Sequence, residues 1–217
     1  MAFSTRSDAG RRLAELLAPW GDDHPVIVAL SPGGARVAFE VAQRLVAPLD
    51  LVSTRKLEVP GRWHSAFGAV TPGAVRVSRP HMRALALPKP YVKDLVQREG
   101  REALREEQLH RGAVAQAKLL GRLVILVDDG LADPMVMSAG IASLRARQAA
   151  QVFLAVPFAS SELKRAVARR VDRFIVLRES DHEPAPIICD EFFIQTTWDD
   201  VRRMLEESRR NSELLPA

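Results

Sequence analysis

Cysteine is nearly absent from the sequence, which has a single one, Cys189, in 217 residues. One cysteine excludes an internal disulfide and a metal site built from several cysteines, as is usual in a reducing compartment. No apolar run approaches the roughly 20 residues that a bilayer crossing needs. The first residues, Met1 to Asp8, lack the apolar core of a signal peptide. We therefore expect a cytoplasmic protein with no membrane partner.

Aromatic side chains are also scarce, and the tyrosine and tryptophans are not interleaved with a basic stripe. The chain has one tyrosine, three tryptophans and a net charge of only +4, from 31 basic and 27 acidic residues spread along its length. A nucleic-acid surface usually gathers basic residues into one patch with interleaved aromatic rings. The composition therefore disfavours nucleic-acid binding, although a mild positive charge is compatible with a phosphorylated small ligand.

What the chain does contain is an alternation of apolar runs and helical periodicity. Predicted strands lie at 26–30, 49–54, 123–127, 152–156 and 174–177, and predicted helices lie at 11–18 and around 37–45, 137–144, 163–167 and 201–205. Such alternation predicts an α/β fold, a twisted parallel sheet with helices on both faces and right-handed crossovers. No linker divides the chain, so we expect a single domain over 1–217.

One region, about 57–112, interrupts this alternation. Its two short runs at 66–70 and 75–77 predict a β-hairpin, and a long helix follows from Tyr91 to about Leu109. We call this expected insertion the hood. Arg111, at the end of the long helix, faces either a ligand or water. At the other end of the chain, the polar tail from about 206 to 217 is expected to fray.

The central apolar run Leu123–Val127 ends abruptly in Asp128, Asp129 and Gly130. Ligands of open α/β sheets bind beyond the carboxyl ends of the strands. Two adjacent acids at the end of a buried strand cost desolvation free energy unless something uses them. These acids therefore favour a ligand site over the alternative, a turn with solvated acids.

Two other strand ends carry candidate binding residues. Gly33 and Gly34 follow the first strand and open a helix, so backbone N–H groups there are able to meet an anion; a simple tight turn is the alternative. Arg55 and Lys56 follow the second strand and suit a phosphate or diphosphate, with a solvated basic turn as the alternative.

These features, in this order from about Asp8 to Leu205, resemble the type I phosphoribosyltransferases, particularly a bacterial branch of that family. The Pro-Arg-Gly-Gly loop of that branch corresponds to Ser31-Pro32-Gly33-Gly34, its Arg-Lys-Leu segment to Arg55-Lys56-Leu57, and its Ile-Gly-Ala-Val hairpin to Phe67-Gly68-Ala69-Val70. The family's acidic loop, Asp-Asp-Gly-Leu-Ala-Thr-Gly-Ala-Thr, corresponds to the nine residues from Asp128 to Val136.

The resemblance implies transfer of phosphoribosyl from phosphoribosyl pyrophosphate (PRPP) to a nitrogenous base, in nucleotide metabolism. In this family the paired acids bind the ribose hydroxyls, the glycine loop approaches the pyrophosphate, and the basic pair neutralises it. The implied substrate-binding residues are Asp128, Asp129, Gly130, Gly33, Gly34, Arg55 and Lys56. Mg²⁺ is implied only if PRPP or pyrophosphate binds, held by ligand oxygens with no metal ligand assigned in the protein. A homodimer is a further expectation, since closed two-fold assemblies are the commonest.

The chain departs from the family in the second half of the acidic loop. There the family cradles the 5-phosphate with backbone N–H groups and two threonine hydroxyls. Here Asp133 brings a carboxylate, Pro134 lacks an N–H, and Met135 and Val136 offer no hydroxyl. The phosphate loop is therefore degenerate. Ala132 stands where purine-salvage relatives carry a carboxylate base, so we assign no catalytic residue.

Three hypotheses remain open at this point. The first is a phosphoribosyltransferase-like protein that has weakened or lost its use of PRPP and binds a small phosphorylated or ribose-bearing ligand. The second is an active transferase with a rebuilt phosphate loop, in which Ser138 or Arg147 contacts phosphate. The third is a non-catalytic nucleotide-binding or RNA-binding regulator on the same fold.

Overall fold

The computed structural model describes residues 3–62, 65–179 and 196–213. Residues 180–195, which include Cys189, lie outside the described residues. The helices are α1 (Arg6–Leu17), a 3₁₀ helix (Ala18–Asp23), α2 (Pro32–Leu45), α3 (Arg79–Ala84), α4 (Lys89–Arg111), α5 (Pro134–Ala146), α6 (Ser161–Val167) and α7 (Trp198–Glu213). The strands are β1 (Val26–Ala29), β2 (Leu49–Leu51), β3 (Arg55–Leu57), β4 (Gly68–Thr71), β5 (Ala74–Val77), β6 (Leu123–Val127), β7 (Gln151–Ala159) and β8 (Arg173–Glu179).

The main sheet has five strands in the order β2-β1-β6-β7-β8, and every pairing is parallel. Strand β6 lies at its centre, with Leu126 paired to Val28 of β1 and to Leu154 of β7. All five residues of β6 are buried, as the uninterrupted apolar run predicted. The strand therefore delivers Asp128 to the carboxyl edge of the sheet, and the predicted fold class is confirmed.

Helices cover both faces of this sheet. Side chains alternate along β6, so Ile125 and Val127 pack into the core formed with α1, α2 and α7, while Val124 and Leu126 pack into the core formed with α5 and α6. Each face thus buries apolar surface against its own helices. No described helix is long and apolar enough to span a bilayer.

The hood is a second, antiparallel sheet in the order β3-β4-β5 with α3 and α4 beside it. Its core includes Leu57, Phe67 and Leu95. The hairpin and the long helix were predicted, whereas β3 and α3 were not. Arg55 and Lys56 therefore lie within a strand of the hood, and β2 ends four residues earlier at Leu51.

Two helix boundaries differ from expectation. Helix α1 begins at Arg6 instead of Arg11, because the Thr5 hydroxyl accepts a hydrogen bond from the Asp8 N–H at 3.0 Å and caps the helix there. At the carboxyl end, residues 206–213 were expected to fray, but they are helical, because α7 continues to Glu213.

The extension of α7 is held by a side chain that the sequence pattern does not mark. Ser208 is buried, accepts a hydrogen bond from the Leu49 N–H at 3.0 Å and donates one to the Ala47 carbonyl at 3.2 Å. These bonds satisfy backbone groups at the start of β2 and tie α7 to the edge of the main sheet.

Arg111 faces neither a ligand nor water, so both expectations for it are wrong. It is buried, forms an ion pair with Asp50 of β2, and lies 3.3 Å from Glu107 one turn earlier. Arg147 approaches the other oxygen of Asp50 at 3.0 Å. Buried charges are tolerated when they are paired and hydrogen-bonded. This cluster of two acids and two arginines joins the end of α4 to the main sheet.

Gly10 of α1 marks a close approach between helices. A Cβ atom there would lie 2.7 Å from the Val37 carbonyl oxygen and 2.8 Å from the Glu40 Cβ in α2. We expect Gly10→Ala to lower the free energy of unfolding by about 1–3 kcal/mol, because the helices must separate. Urea denaturation measures this change.

Gly100 of α4 provides the matched control. A Cβ atom there would meet the Val70 side chain at an ordinary 3.5 Å. Gly100→Ala should therefore raise the free energy of unfolding by about 0.5–1 kcal/mol through helix propensity. Equal stability of the two variants would contradict the close packing of α1 on α2.

Candidate functional site

The candidate site lies where β1 and β6 end, and Asp128 is at its centre. The Asp128 side chain is fully buried. Its Oδ1 accepts a hydrogen bond from the Ser31 hydroxyl at 2.7 Å, and its Oδ2 accepts from the N–H groups of Gly130 at 3.1 Å and Ala132 at 3.3 Å. A single carboxyl group therefore joins the loop after β1 to the loop after β6.

Burial, reinforced by the neighbouring Asp129 carboxylate, raises the pKa of Asp128 to about 7. The hydrogen bonds from Ser31, Gly130 and Ala132 act in the opposite direction. Near neutral pH the Asp128 carboxyl group is therefore partly protonated.

Asp129 is held by Arg6, which lies 123 residues earlier in the sequence. Its Oδ1 accepts a hydrogen bond from the Leu131 N–H at 3.1 Å, and its Oδ2 accepts one from Arg6 Nε at 3.0 Å. Both charged side chains are largely buried. The sequence prediction missed Arg6, since it began α1 five residues too late. The Thr5 cap was the one local signal that placed Arg6 in a helix.

The two glycines after β1 pack directly against the acids. A Cβ atom on Gly33 would lie 2.1 Å from the Asp129 Oδ2, and one on Gly34 would lie 2.8 Å from the Asp128 Oδ1. Ser31 caps α2 by accepting the Gly34 N–H at 2.9 Å. The glycines thus permit close contact between the start of α2 and the acids, whether or not a pyrophosphate binds there.

Gly130 also needs to be glycine. Its φ is +88°, and a Cβ atom would lie 2.5 Å from the Phe158 carbonyl oxygen. The left-handed backbone at this position turns the chain sharply after the acids. The turn lets the following N–H groups fold back toward Asp128 and Asp129.

Asp133 occupies the start of α5. Its Oδ1 accepts a hydrogen bond from the Met135 N–H at 2.7 Å, and its Oδ2 lies 3.8 Å from the Lys56 ammonium. Pro134, the first residue of the helix, has no N–H to offer. The backbone donor that a helix start would present to an external anion is therefore occupied by an internal carboxylate.

Ser138 and Arg147, which the hypothesis of a rebuilt phosphate loop places in contact with phosphate, bond to other parts of the protein. The Ser138 hydroxyl donates to the Pro134 carbonyl at 2.7 Å. Arg147 contacts Asp50 and donates to the Ala117 carbonyl at 2.7 Å. Neither arrangement provides a second cradle at the start of α5. Met135 contributes only its N–H there, and Val136 is half-buried.

The two basic residues of β3 face different acids. Arg55 lies 2.6 Å from Glu99 and also forms an ion pair with Glu106, both on α4. The hydrogen bond to Glu99 raises the pKa of Arg55. Lys56 is exposed and faces Asp133. Arg55 therefore joins β3 to α4 within the hood, and its charge is balanced by these two acids.

A cavity of about 400 Å³ lies beyond the carboxyl edge of the sheet. Its polar lining includes Ser31, Ser53, Thr54, Lys56, Glu106, Asp129 and Asp133, and Trp198 closes one side. A larger cavity of about 980 Å³ under the hood shares Lys56 and Asp133 with it. Of the predicted substrate-binding residues, Gly33, Lys56 and Asp129 line the smaller cavity, and Arg55 and Lys56 line the larger one. Asp128, Gly130 and Gly34 line neither of these two cavities.

The donor set fits a protein-held metal ion poorly. Over the described ranges, no three His, Cys, Asp or Glu side chains come together as a metal site. Both oxygens of Asp128 and both oxygens of Asp129 already accept hydrogen bonds. Mg²⁺ therefore stays a prediction that depends on a ligand supplying most of the oxygens.

Comparison with known proteins identifies the chain's relatives. Two curated proteins of Mycobacterium tuberculosis, from strains CDC 1551 and H37Rv, are each 34% identical over 215 residues that cover 96% of this chain, and both are named "putative phosphoribosyl transferase". The chain belongs to the phosphoribosyltransferase family. It spans about half the length of these curated relatives, since the match covers 47% of each.

A solved structure matches the chain over nearly its full length. TT1426 from Thermus thermophilus is 32% identical in sequence to this chain, and its crystal structure superposes with a TM-score of 0.79. The match covers 95% of this chain and 99% of TT1426. No family model matches the chain. The predicted family and fold are thus confirmed, while the roles of the site residues, the homodimer and the magnesium ion stay predictions.

The raised pKa of Asp128 predicts a pH dependence of stability for this family member. A carboxyl group with a higher pKa in the folded state binds more protons there, so its contribution falls as the pH rises from about 4 to about 7. We expect Asp128→Asn to remove this contribution, because an amide does not titrate. The difference in the free energy of unfolding between the two proteins, measured at several pH values, should change over this range. A constant difference would contradict the raised pKa.

Proposed function

We propose that this chain retains the phosphoribosyltransferase scaffold and a hydroxyl-binding site, but has weakened or lost its use of PRPP. The observation that carries this proposal is the hydrogen bond from the Met135 N–H to the Asp133 carboxylate. The start of a helix is a natural anion site, because its N–H groups are free and its dipole is positive. Here Asp133 already occupies that site, so an incoming phosphate must displace it.

The electrostatic penalty is large enough to matter. Two like charges about 4 Å apart repel by about 4 kcal/mol at an effective dielectric constant of 20, and each 1.4 kcal/mol is a tenfold change in affinity. Lys56 offsets part of this charge from 3.8 Å, but it is exposed and therefore screened by solvent. The Asp133 side chain is itself 37% exposed, so solvent also screens its repulsion, and we expect Asp133 to reduce phosphate affinity at α5 by about tenfold or more.

Pyrophosphate binding is weakened by the same kind of exchange. Ser31 and Pro32 stand in the first loop where the family carries an arginine, and Arg55 is balanced by Glu99 and Glu106. Any magnesium ion would bind pyrophosphate chiefly through the ligand's own oxygens. The crevice therefore lacks the concentration of positive charge that PRPP requires.

The ribose-binding part of the site supports a remaining ligand. Asp129 borders the cavity, and carboxylate oxygens accept hydrogen bonds from sugar hydroxyls. Transfer at the anomeric carbon depends mainly on positioning the sugar and stabilising the leaving group. A sugar that is held only by its hydroxyls is positioned less firmly for that reaction, so ligand binding is retained more readily than catalysis.

Calorimetric titration of PRPP with Mg²⁺ tests this proposal. We expect no binding at micromolar concentrations to the unmodified protein. The double variant Asp133→Thr/Pro134→Gly restores a hydroxyl and a backbone N–H at the start of α5, and it should gain measurable binding. Micromolar binding to the unmodified protein would overturn the proposal.

Asp133→Asn is the matched control for the role of charge. An asparagine side chain keeps the cap on Met135 but removes the negative charge. A gain of PRPP binding in this variant assigns the loss of binding to charge repulsion, whereas a gain only in the double variant assigns it to the missing hydroxyl and the missing N–H at position 134. Circular dichroism at 222 nm checks that α5 remains folded in each variant.

An active transferase is the second candidate, favoured by the preserved packing of Gly33 and Gly34 on the paired acids. Release of pyrophosphate from PRPP in the presence of purine or pyrimidine bases would reveal it. Activity that is present in the unmodified protein and lost in Asp129→Asn would establish this candidate and overturn loss of function.

A further inference from the structure

Two hydroxyl groups in the crevice have no hydrogen-bond partner. Within the described part of the chain, Ser53 Oγ and Thr54 Oγ1 are buried and unpaired. Both residues line the cavity of about 400 Å³ beside Asp129. Buried polar groups in native proteins nearly always have a partner, and an unpaired one costs free energy. The cavity is where a partner for these hydroxyls is able to enter.

The backbone of this short segment is fixed by the long helix of the hood. The Ser53 N–H donates to Glu107 at 3.1 Å, and Glu107 is itself held by Arg111. Two residues further along, Arg55 is held by Glu99 and Glu106. The segment is therefore rigid on both sides of the hydroxyls. The two side chains that line the cavity are therefore held in place by their backbone, and their hydroxyl groups are not used by the part of the protein that the structure describes.

The charges around this cavity select against an anionic ligand. Its acidic lining residues are Asp129, Asp133 and Glu106, and its basic lining residue is Lys56. Arg6 and Arg55 balance Asp129 and Glu106, while Lys56 faces Asp133. The charges of the cavity are thus matched internally, and a dianionic phosphate group gains no surplus cation. A neutral ligand with several hydroxyls gains hydrogen bonds without the cost of burying a charge.

We propose that Ser53 and Thr54, together with Asp129, bind the hydroxyl groups of an unphosphorylated sugar-bearing ligand of the nucleoside class. The proposal rests on the proposed function, because it takes the blocked phosphate site as its starting point. The cavity has the volume usual for small-molecule sites. Trp198 also lines this cavity, with its ring stacked on His110 at 3.4 Å between centroids, and it serves as a fluorescent reporter of binding.

The test titrates adenosine, inosine, cytidine and uridine, and their 5-monophosphates, into the full chain. Calorimetry and tryptophan fluorescence report binding. We expect at least one nucleoside to bind, and its 5-monophosphate to bind about tenfold more weakly or worse. In the double variant Ser53→Ala/Thr54→Val, nucleoside affinity should fall by about tenfold or more, since two hydrogen bonds are lost.

Stability separates a ligand role from a structural one. Because the two hydroxyls are unpaired, Ser53→Ala/Thr54→Val should leave the melting temperature of the free protein unchanged or raised. Thr71→Val is the matched control: Thr71 is buried outside the cavity and donates to the Ala74 carbonyl at 3.2 Å. It should lower the melting temperature and leave nucleoside binding unchanged.

Three results would overturn the inference. They are the absence of binding by all four nucleosides, equal or tighter binding of the 5-monophosphates, and unchanged nucleoside affinity in Ser53→Ala/Thr54→Val. The PRPP titration keeps the two proposals separate. Micromolar PRPP binding to the unmodified protein overturns the proposed function, whereas failure of both PRPP and the nucleosides to bind overturns only the nucleoside inference.

Discussion

The buried carboxyl group of Asp128 is the interaction on which the site depends. It accepts hydrogen bonds from Ser31 in the loop after β1 and from Gly130 and Ala132 in the loop after β6. These bonds fix the two loops against each other, and Gly34 is required because no side chain fits beside the carboxyl group. The positions of Asp129 and the start of α5 follow from this arrangement. Asp128 thus works first as a structural element, and its partial protonation near neutral pH reduces the cost of burying it.

The other decisive feature is that the protein supplies its own anion at α5. In this fold a helix start beyond a strand end attracts phosphate, and one substitution to aspartate satisfies the same N–H group from within. Pro134 reinforces this by removing a donor. The start of α5 therefore keeps a helical shape while the Met135 N–H is already bonded to a carboxylate of the protein itself. Similar reasoning applies to Arg55, whose charge now stabilises the hood through Glu99 and Glu106.

The sequence predicts the features of this protein that are set by local patterns. Apolar runs such as Leu123–Val127 marked the strands, the paired acids marked the edge of the sheet where the cavity lies, and the replaced loop residues marked Asp133 at the start of α5. It does not predict Arg6 on Asp129, because the two residues are 123 positions apart and no local pattern links them. The pairing of Arg111 with Asp50 was missed for the same reason. Charged residues in an exposed-looking helix carry no signal that they become buried.

The buried cluster of Asp50, Glu107, Arg111 and Arg147 has a consequence for how this lineage diverges. Its two acids and two arginines compensate each other largely away from water, and only Arg147 is partly exposed. Removing one member of such a cluster leaves the charge of another unpaired, which typically costs about 3–5 kcal/mol, a large part of the stability of an ordinary domain. We therefore expect selection to disfavour single substitutions at these positions and to favour concerted replacements. The four residues that connect the hood to the main sheet should consequently change together in evolution, whereas residues that line the cavity are able to change one at a time.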